Sequence, residues 1–135
     1  MAGFTDRYRL SGGAPTIQKI LAADTATYYK GDLVNLESGE ADPAASDDSA
    51  LLGVCLATTS CTDSTTYIDV ITDADMVYGV TDANARVIGA TLDLTGAAGS
   101  MTVEATVHAD FTVVANSSAT EETLVVITHG EHAWN

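Results

Sequence analysis

Apolar and polar residues alternate most cleanly over residues 101–107. Met101, Val103, Ala105 and Val107 fall on one face, and Thr102, Glu104 and Thr106 on the other. That period of two belongs to a half-buried strand. Elsewhere the apolar residues come in short continuous runs. Leu33-Val34-Asn35-Leu36 follows the turn formers Gly31 and Asp32, and Leu51-Leu52-Gly53-Val54-Cys55-Leu56 follows a polar loop over 37–49. Both runs are too short for helices and are bounded by turn residues, so both are predicted as buried strands. The loop between them carries Ser38-Gly39, Asp42-Pro43 and Asp47-Asp48, chemistry that disfavours helix and central strand. The β-branched and aromatic run 67–71 is predicted to form a hairpin with 51–57 around the Thr/Ser-rich turn 58–64, placing Cys55 opposite Asp69. Further strands are expected over 76–80, 90–94, 111–114 and 123–128, with a turn or single helical turn at 82–85. Residues 16–23 place Ile17, Ile20 and Leu21 at a spacing open to a short helix or an irregular strand; the β-rich context favours strand.

These runs predict an all-β fold, a small antiparallel β-barrel or sandwich. Residues 16–135 form one domain and residues 1–15 an extended N-terminal arm set off by Ser11-Gly12-Gly13-Ala14-Pro15. A segment this short and glycine-hinged is expected to be mobile when unpartnered, or else to fold back on its own subunit or a neighbour. Gly89 precedes Leu94 as Gly31 precedes Leu36, and Gly96 and Gly39 follow. This echo marks either two similar turn–strand units or chance.

Charge narrows the function. The formal net charge is −14, which argues against binding nucleic acid through its phosphates and against anionic membrane surfaces. The basic residues are placed unevenly. Residues 1–30 hold Arg7, Arg9, Lys19 and Lys30 against Asp6 and Asp24, whereas the rest of the chain has Arg86 as its single base. The arm therefore reads as a partner-facing segment on an acidic body, with Phe4, Arg7, Tyr8 and Arg9 as its candidate contacts, since aromatic and guanidinium groups anchor interfaces. No run of 18 apolar residues and no signal-peptide pattern is present, which leads to the expectation of synthesis in a cytoplasm.

Candidate chemistry is sparse. Cys55 and Cys61 are expected as free thiols, because neither spacing nor register suits a disulfide or a zinc site. His129, Glu131 and His132, with His108, are weighed as a metal set, and Asp73, Asp75 and Asp82 as calcium ligands; both lack the ligand spacing such sites use, so no metal is expected. Trp134 is expected as a docking anchor, within the subunit or against a neighbour. No nucleophile elbow or phosphate loop is found, so neither an enzyme nor a cofactor is expected.

The order of a basic arm, Lys30-Gly31-Asp32-Leu33-Val34, an Ala/Asp-rich loop, Leu51-Leu52-Gly53-Val54-Cys55-Leu56-Ala57, a Thr/Ser turn and the 67–71 strand resembles the head decoration (cement) proteins of tailed bacteriophages, the lambda-type proteins and their longer relatives. The likeness covers residues 31–80, closest over 52–79, with a looser match through 127. It implies a β-tulip core and a homotrimer on the outside of the virion capsid. It implies bridging of neighbouring subunits of the major capsid protein, and an arm that adds main-chain pairing to a capsid strand. The longer C-terminal half, 86–135, departs from the short members. The alternative is a carbohydrate-binding or tail-fibre-type β-module, for which a cleft lined by Tyr28, Tyr29 or Trp134 would speak.

Overall fold

A computed structural model gives the fold and describes residues 3–134, except 24, 25, 46, 47, 62–64, 83, 85, 106, 107 and 118–121, and except the side chains of 116 and 117. Among the described residues thirteen strands follow in order: β1 (Phe4–Arg9), β2 (Ile17–Leu21), β3 (Thr27–Tyr28), β4 (Leu33–Glu37), β5 (Glu40–Pro43), β6 (Leu51–Val54), β7 (Thr59–Ser60), β8 (Tyr67–Ile71), β9 (Met76–Thr81), β10 (Thr91–Thr95), β11 (Thr102–Ala105), β12 (Phe111–Ser117) and β13 (Glu122–Ile127). They pair antiparallel in a six-stranded sheet ordered β1-β9-β13-β12-β10-β11, a three-stranded sheet β5-β4-β6, and the pairs β2-β8 and β3-β7. Among the described residues no sheet closes on itself, so the all-β fold is sandwich-like and not a barrel.

The continuous apolar runs have a common cause. Along β4, Leu33 packs into one buried cluster and Val34 into another; along β6 and its continuation, Leu51 and Val54 join the first cluster, Leu52 and Cys55 the second. A strand buried on both faces has no polar side to alternate with. The larger cluster fills the space against the six-stranded sheet, with Phe4, Tyr78, Phe111, Leu94 and Val125. The smaller one is built from Ala22, Tyr28, Ala41, Ile68 and Val70. Tyr28 belongs here because its hydroxyl is satisfied: it donates to the Ala41 carbonyl (2.6 Å) and accepts from the Ala23 N–H (3.1 Å). Burial pushes its pKa up to about 12.

The echo between Gly31 and Gly89 is structural. In the first unit the Asp32 N–H donates to the Tyr29 carbonyl, Gly31 N–H to the Cys55 carbonyl and Cys55 N–H to the Asp32 carbonyl. In the second, Ala90 N–H donates to Val87, Gly89 N–H to Val113 and Val113 N–H to Ala90. Each group lies 58 positions after its counterpart (89 less 31, 113 less 55). The registers Leu33↔Val54 and Val34↔Gly53 recur as Thr91↔Thr112 and Leu92↔Phe111. Even the buried polar group inside the central strand recurs: Asn35 Oδ1 accepts from Ala50 N–H (3.1 Å), and Asp93 Oδ1 from His108 N–H (2.7 Å). The strand orders β5-β4-β6 and β11-β10-β12 are thus one motif used twice. The copies differ in their first hairpin. Ser38 and Gly39, both at positive φ, close it in two residues between Glu37 and Glu40, whereas six residues separate Thr95 from Thr102.

Several expectations are corrected. The loop 37–49 contains β5, an edge strand, with Pro43 at the end of the ladder where a missing N–H is tolerated. The hairpin of 51–57 with 67–71 reduces to a single bridge, Cys55↔Val70, one residue off the expected Cys55–Asp69 register; β8 pairs chiefly with β2, and β7 between them pairs with β3. Of the alternating segment 101–107, Met101 and Val103 are buried and Glu104 exposed as expected, but Ala105 is exposed. Residues 106 and 107 lie outside the described residues.

Candidate interaction surface

Of the two expectations for the arm, mobile or folded back, its described part shows the second: Phe4–Arg9 is β1, the edge strand of the six-stranded sheet, paired to β9. The reason is Phe4. Its ring stacks on Phe111 at 5.1 Å and meets Tyr78 edge-on at 6.5 Å, and its N–H donates to the Gly31 carbonyl (2.7 Å). A buried aromatic ring outweighs the ordering cost of a short strand. The 10–15 segment is exposed throughout.

The four candidate contacts therefore separate. Phe4 is core. Arg7, at a register break in β1, lies across Gly79 and pairs with Glu122; a Cβ at Gly79 would sit 2.8 Å from Arg7 Nε, so the bare glycine makes room for the pair. Arg9 Nε donates to Asp75 Oδ1 (3.0 Å) and stands 3.4 Å from Asp73 Oδ1. The Ser11 hydroxyl above all, then its N–H and Arg9, hold the Asp75 carboxyl at about 2. Tyr8 is 49% exposed on the sheet edge.

Beside Phe4 lies a cleft of about 520 Å³ lined by Tyr29, Lys30, Gly31, Thr81, Gly99 and Glu122, among others. It presents one aromatic ring, one ammonium and one carboxylate. Gly99 packs under the Tyr29 ring, where a Cβ would approach to 3.3 Å, and its N–H donates to Asp32 Oδ2 (2.8 Å). Asp32 is buried, which raises its pKa against that bond. Tyr28 is in the core and Trp134 does not line the cleft.

Of the residues weighed for metals, His132, Asp73, Asp75 and Asp82 bond to groups of the protein. His132 is buried; its Nδ1 accepts from the Trp134 N–H (3.0 Å), which leaves Nε2 protonated to donate to the Leu52 carbonyl (2.8 Å). The tail bridges β6 at Leu51↔His132. His132 anchors the tail, while Trp134 is 54% exposed. Burial lowers the His132 pKa. Asp73 Oδ2 accepts from Thr16 N–H (2.6 Å), and Asp82 takes Arg86 Nε at 2.6 Å. No group of three or more metal-ligating side chains occurs among the described residues. Neither cysteine is in a disulfide and both are buried; burial pushes the Cys55 thiol up to about 11. No helix is long and apolar enough to cross a membrane among the described residues.

No protein-family model, no curated protein and no solved structure matches this chain. Sequence reasoning named Tyr29 as a possible cleft residue but missed Lys30 beside it and the anchoring role of His132. The pairing of positive-φ Gly31 with an aromatic and a lysine just before it was the available signal for the first.

Proposed function

We propose that the protein is a structural decoration (cement) module of a tailed-phage head, docked as a homotrimer on the outer capsid surface, where it bridges neighbouring subunits of the major capsid protein. The observation that carries this reading is the open edge of the six-stranded sheet. β1 occupies it, and its exposed Tyr8 stands with Arg7 and Arg9 on a molecule that is otherwise strongly acidic. An edge strand accepts a partner strand by main-chain hydrogen bonds, and the exposed Tyr8 ring on that edge supplies an aromatic anchor. The likeness of residues 31–80 to the decoration family supports the same reading. The test is co-sedimentation with undecorated, expanded heads. The full-length protein should co-sediment at a saturating ratio near one trimer per three-fold position, and Tyr8→Ala should weaken retention with an unchanged melting temperature. Failure of the full-length protein to bind sinks the reading.

The Tyr29 cleft favours a second reading, a carbohydrate-binding module, since an exposed ring beside an ammonium and a carboxylate suits a sugar. Glycan-array binding lost in Tyr29→Ala and retained in Tyr8→Ala would select it.

A further inference from the structure

The chain carries five lysine and arginine side chains against 19 acidic ones. Arg7, Arg9, Lys19 and Arg86 each pair with a carboxylate, those of Glu122, Asp75, Asp69 and Asp82. Among the described residues Lys30 alone pairs with none, and it lines the cleft beside Tyr29. Its main chain is fixed there. Lys30 N–H donates to Thr58 Oγ1 (3.1 Å), which leaves that hydroxyl its own proton to donate to a ligand. Thr5 and Thr81 line the same cleft with two more hydroxyls, and Glu122, held by Arg7, adds a carboxylate acceptor. Gly99 supports the Tyr29 ring from one side, and Tyr29 is 40% exposed. No Ala, Val, Leu, Ile or Met lines this cleft among the described residues.

We propose that this cleft binds an acidic sugar, a uronic acid unit of a polysaccharide, with its carboxylate on Lys30 and its ring against Tyr29. The lining selects the ligand class. An apolar peptide side chain finds no aliphatic wall here. The hydroxyls of a sugar match Thr5, Thr58, Thr81 and Glu122, and its C–H face matches the aromatic ring. The volume of about 520 Å³ lies within the roughly 300–1,000 Å³ of small-molecule sites. The charge then selects within the class. A neutral sugar leaves the Lys30 ammonium without a counter-charge, on a molecule whose other lysine and arginine side chains each have one; a carboxylate supplies it through a charge-assisted hydrogen bond. The net charge of −14 repels anions at a distance, so the carboxylate is recognised only in contact. This inference rests on the carbohydrate reading of the cleft and is independent of capsid docking.

The test is a titration of the full-length, isotope-labelled protein with trigalacturonate and, separately, with its fully methyl-esterified form, followed by amide chemical shifts. The acid should shift the amides of Lys30, Gly31 and Gly99 and saturate with a Kd of about 0.1–1 mM. The ester should bind at least about tenfold more weakly. Lys30→Gln, a change at an exposed position, should bring the acid down to the level of the ester and leave the ester unchanged. Tyr29→Ala should weaken both. Equal binding of acid and ester to the parent protein overturns this proposal and leaves the carbohydrate reading standing. No shift with either ligand at roughly ten times that range overturns both. Acid binding unaltered in Lys30→Gln or in Tyr29→Ala, or shifts centred away from the cleft, also overturn the proposal. So does tighter binding of a blocked aspartyl–glutamyl dipeptide than of trigalacturonate, which would assign the site to a protein carboxylate.

Discussion

Gly53 has no room for a methyl group. A Cβ there would lie 1.9 Å from the Ile71 carbonyl oxygen, and its φ of 152° is one that side chains resist. The close approach lets β6 pass the end of β8 while both remain buried. Gly53→Ala should therefore cost at least about 3 kcal/mol, read as a fall in the urea midpoint; a loss under about 1 kcal/mol would show that β6 can shift. Asp110 is the opposite case, a residue that weakens the fold. It is fully buried, Oδ2 accepts from the Leu94 N–H (2.9 Å) and Oδ1 has no partner among the described residues. Burial, and the nearby Asp93 carboxylate, push its pKa up to about 6. Below pH 4 the group is neutral in both states. Between pH 4 and 6 the unfolded chain releases the proton and the folded one keeps it, so stability falls as pH rises through that window. Asn keeps the acceptor without the charge. Asp110→Asn should be about 2 kcal/mol more stable than the parent at pH 7.5 and equal to it below pH 4, by urea denaturation at the two pH values. Equal stability at both would place Asp110 outside this account.

At the scale of elements, the strands with a continuous apolar run or a clean alternation were legible: β4, β6, β8, β9, β11 and β13 follow from which residues repeat. β3, β5 and β7 were not. They are two to four residues long, and tertiary pairing makes them strands: Thr27–Tyr28 is extended because the Tyr28 hydroxyl reaches the Ala41 carbonyl. The choice between a mobile and a folded-back arm was not legible for a related reason. In β1 a single large apolar residue, Phe4, precedes Thr5, Asp6 and Arg7, and nothing local says that Phe111 and Tyr78 leave a slot for it. Phe4→Ala should accordingly cost about 3–5 kcal/mol. Deletion of residues 1–9 should lower the melting temperature substantially, so arm deletion cannot separate docking from folding and the surface change Tyr8→Ala must do so. An unchanged melting temperature after deletion would restore the mobile arm. The tail was also half legible. Trp134 drew attention by size, but His132 does the anchoring because both its ring nitrogens are used. Its pKa is lowered by burial, so docking of the tail is fully present above the unfolded value near 6.5 and is lost as pH falls through the lower folded value. Fluorescence of Trp134, the one tryptophan, should change at mild acidity before far-ultraviolet circular dichroism does. Coincident transitions would tie the tail to the core.

For the whole molecule, the repeated motif and the charge act together. Two copies of one β-unit supply both sides of the larger core, so the chain completes that packing by itself. The outside is acidic, and three of the four cations on the basic end, Arg7, Arg9 and Lys19, are each spent on a local carboxylate, Glu122, Asp75 and Asp69, while Lys30 lines the cleft. These exposed pairs contribute little, so most of the net charge of −14 remains as self-repulsion. Salt shortens its range from about 30 Å at 0.01 M to about 10 Å at 0.1 M. Self-repulsion is larger in the folded chain than in the expanded one, and larger again in a trimer. Raising sodium chloride from about 0.01 to 0.1 M should therefore raise the melting temperature by several degrees. Light scattering over the same range should move toward the trimer if three copies meet through an apolar, Thr/Val-rich face with their carboxylates turned outward. If association instead depends on Arg7 or Arg9 bonding a neighbour's carboxylates, the melting temperature will rise with salt while the trimer dissociates. Opposite salt responses of stability and association would thus exclude the apolar interface.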